Sequence, residues 1–161
     1  MVALPDTLAR RLVRAAKRPM LAARSDEAFD VLDRPVRAGD FSVLDGHDHC
    51  LLVTYRKDGT PVPTPVWFAR QGERIVVWTE IEAYKAKRLR RDPRALVAPC
   101  TVTGKPLGDP VAAVGRVLET DAERAAAARA IKAQWNLGQR IFERASRPLT
   151  EVHYLAFEPA P

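Results

Sequence analysis

Thr79 and Lys85 stand on either side of the point where an apolar, strand-like run gives way to a basic, helix-like one. Ile75 to Thr79 (IVVWT) is β-branched and aromatic and apolar on both faces, as a buried strand requires. The period then changes: Ile81, Tyr84, Lys85, Arg88 and Leu89 fall on one face of a helix that Asp92-Pro93 ends. This pattern predicts a helix beginning at or just after Thr79, where free backbone N–H groups and the helix dipole favour an anion. Thr79 adds a hydroxyl, and Lys85 adds a point charge about one turn further in. The chemistry this suits is a phosphate grip. A lysine on an apolar stripe also commonly reaches outward to water, so on these residues alone both readings stand.

Pro61, Pro63 and Pro65 alternate along the preceding strand-like run. In a strand the N–H and C=O of one residue point to the same side. Val62, Thr64 and Val66 can therefore pair fully on one side, while the proline side offers carbonyls and no donors. That edge must face solvent, a loop or a ligand. Protection against edge-to-edge aggregation explains it, and so does a ligand that donates hydrogen bonds to the carbonyl row. His47-Asp48-His49-Cys50 has the residue types of a metal site, but in a strand Cys50 would point away from the two histidines. No further ligand pair follows at zinc-like spacing, so no metal is expected. Arg116 lies inside an apolar run and needs a counter-charge, from a protein carboxylate or an acidic ligand.

The elements that position these residues are mostly strands. Leu51 to Tyr55 and Pro61 to Arg70 flank Asp58-Gly59, a strong hairpin signal, and Gln71-Gly72-Glu73 makes a second turn before Ile75 to Thr79. Arg94 to Val102, Val111 to Leu118 and Thr150 to Phe157 complete the strand set, with a breaker-rich loop, Thr103 to Pro110, that carries Lys105. Asp121 to Lys132 reads as a helix opened by Thr120 or Asp121 with Glu123 nearby, and Gln134 to Arg144 as a second helical piece. Before the strands, Leu4 to Arg24 is helix-like and Ser25 to Leu32 a second short helix. Pro35 to Gly46 reads as a linker. Hairpins with two helical crossings predict a mainly β, α+β fold: a small antiparallel barrel with helical covers. The expected division is an N-terminal helical extension, 1–46, followed by the barrel, 47–161.

The length, 161 residues, suits one domain, and 26 Lys and Arg against 20 Asp and Glu give a net charge of +6. Such a balance favours an anionic partner. The basic residues are spread over several elements without an aromatic platform, which disfavours nucleic acid. Cys50 and Cys100 read as small buried hydrophobes rather than a disulfide, and no apolar run is long enough to span a membrane, so a cytoplasmic protein is expected. A Rossmann fingerprint, a Walker loop and a G-x-S-x-G elbow are all absent.

Taken together, DGTPVPTPVWF, VVWT and YKAKRLRRDPRALVAP resemble the split-barrel oxidoreductases related to pyridoxamine 5′-phosphate oxidase. Within them the chain looks most like the branch that uses the deazaflavin coenzyme F-420, and APCTVTGKPLGDPVAAVGRVLE adds to the likeness. The resemblance implies a six-stranded antiparallel split barrel of the FMN-binding type, a homodimer, and two cofactor grooves between subunits. It implies that Thr79 and Lys85 hold the cofactor phosphate, with backbone from Ala83 and Tyr84 and with Trp78 close by. Pro63, Thr64, Pro65, Val66 and Trp67 would lie along the ring system. Arg56, Lys57, Arg88 or Lys105 could meet the acidic tail of F-420. Related flavin enzymes carry Ser-Arg before this lysine, where this chain has Ala83 and Tyr84, a departure that weighs against FMN. The implied activity is hydride transfer from the reduced deazaflavin to an electrophilic double bond of a small organic substrate. Tyr55, Tyr84 and Lys105 are the candidate proton donors, and the sequence does not choose among them. An FMN-dependent enzyme of the same fold and a non-catalytic ligand-binding protein are the alternatives.

Overall fold

The computed structural model describes residues 26–80, 83–134 and 152–161. Among the described residues seven strands form one antiparallel sheet: β1 (His49–Tyr55), β2 (Pro61–Trp67), β3 (Ala69–Gln71), β4 (Arg74–Glu80), β5 (Arg94–Pro99), β6 (Val111–Val117) and β7 (Val152–Pro159). Their order is β2-β1-β5-β6-β7-β4-β3. The two edge strands, β2 and β3, are consecutive in the chain and separated only by Phe68. A single strand thus bends at Phe68 and changes partner, from β1 to β4, which curls the sheet back on itself. This bend is why seven strands are observed where six were expected. The barrel itself is as anticipated.

The register sorts the side chains into two faces. Cys50 opposite Val66 and Leu52 opposite Thr64 point inward, whereas Leu51 opposite Pro65 and Val53 opposite Pro63 point outward. Inside, Leu52, Ile75, Val77, Val97, Leu155 and Phe157 form one core. α1 (Tyr84–Arg91) crosses one end and contributes Ala86 and Leu89 to that core. Gly115 makes the close approach possible, because a Cβ there would collide with the Phe157 ring and the end of Leu89. The opposite end is filled by Phe41 and Leu44, both buried, around a short 3-10 turn, Ser42–Leu44. The segment expected as a linker therefore supplies part of the core, and Arg70 fastens it by donating to the Phe41 carbonyl at 2.7 Å and to Asp45 at 2.6 Å.

Helical elements cover the outer faces. α2 (Asp121–Gln134) lays Ala127 and Ile131 on Ala69, Val76 and Ala156. It opens with a reciprocal cap: the Glu123 N–H donates to the Thr120 hydroxyl at 3.2 Å, and that hydroxyl donates to the Glu123 carboxylate at 3.0 Å. A 3-10 helix, Asp26–Asp33, places Ala28 and Val31 on Leu51, Val53 and Ala98. The short helix expected there takes this tighter 3-10 form. The fourth expected strand stops at Pro99 rather than Val102, since Thr101 accepts from Gly104 and Cys100 bridges Pro106 across the loop. No helix among the described residues is long and apolar enough to cross a membrane. The helical readings of Leu4 to Arg24 and of 135–144 lie outside the described residues, as does Ile81.

Candidate functional site

β4 runs on to Glu80, and α1 begins only at Tyr84, with Ala83 as its N-cap and no side-chain cap. This corrects the expected helix start at Thr79. The reason is pairing: β4 keeps β7 as a ladder partner as far as Glu80, so the chain stays extended past Thr79. Lys85 consequently sits in the first turn of α1, closer to the helix N-terminus than its sequence spacing implied.

Lys85 is half-buried beside Ala86 and Leu89, which are fully buried. Crowding by protein, with the Arg88 guanidinium adding like-charge repulsion, brings its pKa down to about 8. Among the described residues no carboxylate pairs with it. A desolvated cation whose charged neighbour is another cation is costly unless an anion joins them. Thr79 is buried at the end of β4 on the barrel-facing side, in the row of Ile75 and Val77. Thr54, at the same end of the barrel and also buried, has a hydroxyl with no hydrogen-bond partner among the described residues. An ammonium without a counter-ion and a buried hydroxyl without a partner, at one end of the barrel, fit an anionic polar group.

The other expected site residues are distributed as follows. Thr64 and Val66 face inward from β2, while Pro63, Pro65 and Trp67 face outward. β2 is an edge strand whose ladder partner is β1, so the proline side is the edge turned away from β1. Trp78 occupies the opposite face of β4 from Thr79 and packs with Tyr154 near α2. Tyr84 is 74% exposed, with the Lys87 ammonium 5.7 Å from its ring centre. Arg88 is half-buried on α1. Lys105 pairs with Glu27 at 2.9 Å, and that partner raises its pKa. Arg56 and Lys57 are exposed in the β1–β2 turn. Tyr55 is half-buried, its pKa raised by burial, with Arg94 over its ring at 5.3 Å.

One open question from the sequence closes here. Arg116 meets the Glu123 carboxylate at 2.7 Å, so its counter-charge is the protein's own. His49 turns outward and tilts against Trp67 at 5.7 Å, while Cys50 turns inward, and no metal-ligand cluster occurs among the described residues. The cysteines are free and buried, and burial raises both thiol pKa values, Cys100 to about 12. One residue had been passed over. His153 lies directly opposite Thr79 across the β4–β7 ladder, and only long-range pairing could have revealed it.

A family model described as pyridoxamine 5′-phosphate oxidase matches residues 41–160, beginning at the buried Phe41. Among solved structures, HutZ, the heme storage protein of Vibrio cholerae, aligns with a TM-score of 0.53 at 17% identity, covering 72% of this chain and 84% of its own. A protein of Clostridium acetobutylicum related to general stress protein 26 of B. subtilis, of the pyridoxinephosphate oxidase family, aligns with a TM-score of 0.52 at 12% identity. That alignment covers 84% of this chain and 86% of the other. At these identities the likeness shows the fold. No curated protein matches the chain.

Proposed function

Because the chain belongs to the pyridoxamine 5′-phosphate oxidase family, we propose that it is an oxidoreductase that uses coenzyme F-420 to reduce an electrophilic double bond of a small organic substrate. The observation that carries the anion-binding half of this reading is Lys85: half-buried, at a helix N-terminus, next to Arg88, and without a carboxylate partner among the described residues. The choice of the deazaflavin rests on the resemblance of the Pro63–Trp67 and Thr79–Lys85 stretches, and on Ala83 and Tyr84 standing where flavin-binding relatives carry Ser-Arg. The cofactor, when bound, supplies the hydride. The protein's part is to bind, orient and exclude water. Lys85, the Thr79 hydroxyl and the first-turn amides of α1 hold the phosphate. The donor-free edge of β2 lies along the ring system, Ala86 and Leu89 keep that end of the barrel apolar, and Arg88 adds positive charge beside Lys85. Lys105 is engaged with Glu27, so the exposed Arg56 and Lys57 are the cations that would meet the acidic tail. A homodimer acting in the cytoplasm, with cofactor grooves between subunits, belongs to the same reading.

The test is a titration of the purified protein with F-420 and, in parallel, with FMN. Tight F-420 binding, weak FMN binding and loss of affinity in Lys85→Ala are expected. Preference for FMN would make the protein a flavin-dependent member of the family. Tight binding without turnover of any enone or quinone would make it a ligand-binding protein, and failure to bind either cofactor would refute the proposal.

A further inference from the structure

His153 continues the inward row of β7 that Leu155 and Phe157 begin, at the end of the barrel which α1 crosses. Facing residues of an antiparallel pair have Cβ atoms about 5 Å apart, so the imidazole starts beside the Thr79 side chain. The charged groups around it come from several elements. α1 brings Arg90 and the first turns of α2 bring Arg124, both near enough for their charges to oppose protonation of His153. Burial is the larger effect, and all three lower the pKa of His153 and favour the uncharged ring. The carboxylates that meet these arginines, Glu119 and Asp121, are 75% and 97% exposed, which makes them weak, solvated partners. Glu80 lies on the other face of β4. In the first turn of α1, the helix that follows β4, Lys85 likewise has a cation, Arg88, as its charged neighbour. The imidazole opposite Thr79 thus has arginines of both helices as its charged neighbours.

We infer that His153 is a further ligand-binding residue of this chain, donating a hydrogen bond to the anionic group assigned to Thr79 and Lys85, and taking up a proton as that anion binds. The inference rests on the anion-site half of the proposed function and not on the identity of the cofactor. In the free protein the arginines disfavour the imidazolium. A bound anion offsets their charge and reverses the preference, so binding and protonation are linked. An anion that does not itself titrate should then bind more tightly as pH falls, by about tenfold for each pH unit through which it raises the His153 pKa.

Sulfate is such an anion. Its binding would be followed at the imidazole resonances by NMR between about pH 5.5 and 7.5, where histidine titrates. Sulfate is expected to shift the His153 titration upward and leave that of the outward-facing His49 in place. In His153→Gln, sulfate affinity should become independent of pH over this range, and in Lys85→Ala it should fall throughout. A His153 titration unmoved by sulfate would overturn the inference, as would an unchanged pH dependence in His153→Gln. Should sulfate move His153 while neither F-420 nor FMN binds, this site stands and the cofactor assignment is withdrawn.

Discussion

Replacing Lys85 with Met should make the free protein more stable while removing its hold on anions. Met keeps the unbranched length of the side chain and drops the charge, so packing against Ala86 and Leu89 is largely preserved. In the folded protein the ammonium is penalised by burial first and by Arg88 second, and its pKa falls from 10.5 to about 8. That fall corresponds to roughly 3 kcal/mol against the charged form. Because the side chain is only half-buried, about 1–2 kcal/mol is the gain we expect at pH 7. The pH dependence identifies the cause. Below about pH 8 both states carry the proton and the full penalty applies. Between there and 10.5 the unfolded chain binds more protons than the folded one, so wild-type stability rises with pH and the penalty is relieved. The difference between variant and wild type, measured by urea unfolding in a buffer free of phosphate and sulfate, should shrink across that window. Adding sulfate at pH 7 should stabilise the wild type and not Lys85→Met. A variant less stable than wild type at pH 7, or a difference that stays constant up to pH 10.5, would refute the reasoning.

Gly115→Ala would drive a methyl group into the Phe157 ring and the end of Leu89. We expect a loss of about 1–3 kcal/mol in chemical denaturation, accompanied by weaker anion binding, because Leu89 and Lys85 share one helix. Glu123, held by Arg116 first and by Thr120 second, has its pKa lowered from 4.5 to about 2. Its depressed value means a contribution that is fully present above pH 4.5 and lost as pH falls toward 2. An acid titration of stability should show this loss in the wild type and a flatter profile in Glu123→Gln, and equal profiles would argue against it.

Local chemistry was legible in the sequence wherever a short stretch contains its own cause. Asp58-Gly59 turns the first hairpin, with Gly59 at a φ of 84° and the Asp58 carboxylate accepting from the Thr60 N–H at 3.0 Å. The Thr120 and Glu123 pair opens α2. What stayed hidden depends on partners far along the chain. Phe41 and Leu44 sit among Gly39, Asp40, Asp45 and Gly46, so their segment reads as turn residues, and only the open end of a barrel explains their burial. The bend at Phe68 has no glycine or proline to mark it. Periodicity sets the start of α1 too early, because it describes a face and not a boundary, and the competing ladder to β7 lies more than seventy residues downstream. His153 was invisible for the same reason: its place opposite Thr79 is a matter of register.

The proline strand shows why edge protection and ligand binding need not be alternatives. β3 pairs with β4 at Ala69–Val76, Arg70–Ile75 and Gln71–Arg74. Carried onward in the same register, that pairing would set Pro65 opposite Glu80. Pro65 has no N–H to give, so one of the two bonds of such a pair cannot form. The β3–β4 ladder in fact ends at Ala69–Val76, while β4 continues to Glu80 on the side of β7. The same missing donors that blunt an edge against a second protein also keep a complete ladder from forming between β2 and the outer half of β4. The end of β4 so left carries Thr79, and α1, with Lys85 in its first turn, begins four residues beyond Glu80. A residue type chosen only to prevent aggregation could sit anywhere along an exposed strand. Pro65 stands in this register where the barrel closes, at the end of β4 from which the chain runs on to Lys85, a lysine with no carboxylate partner among the described residues.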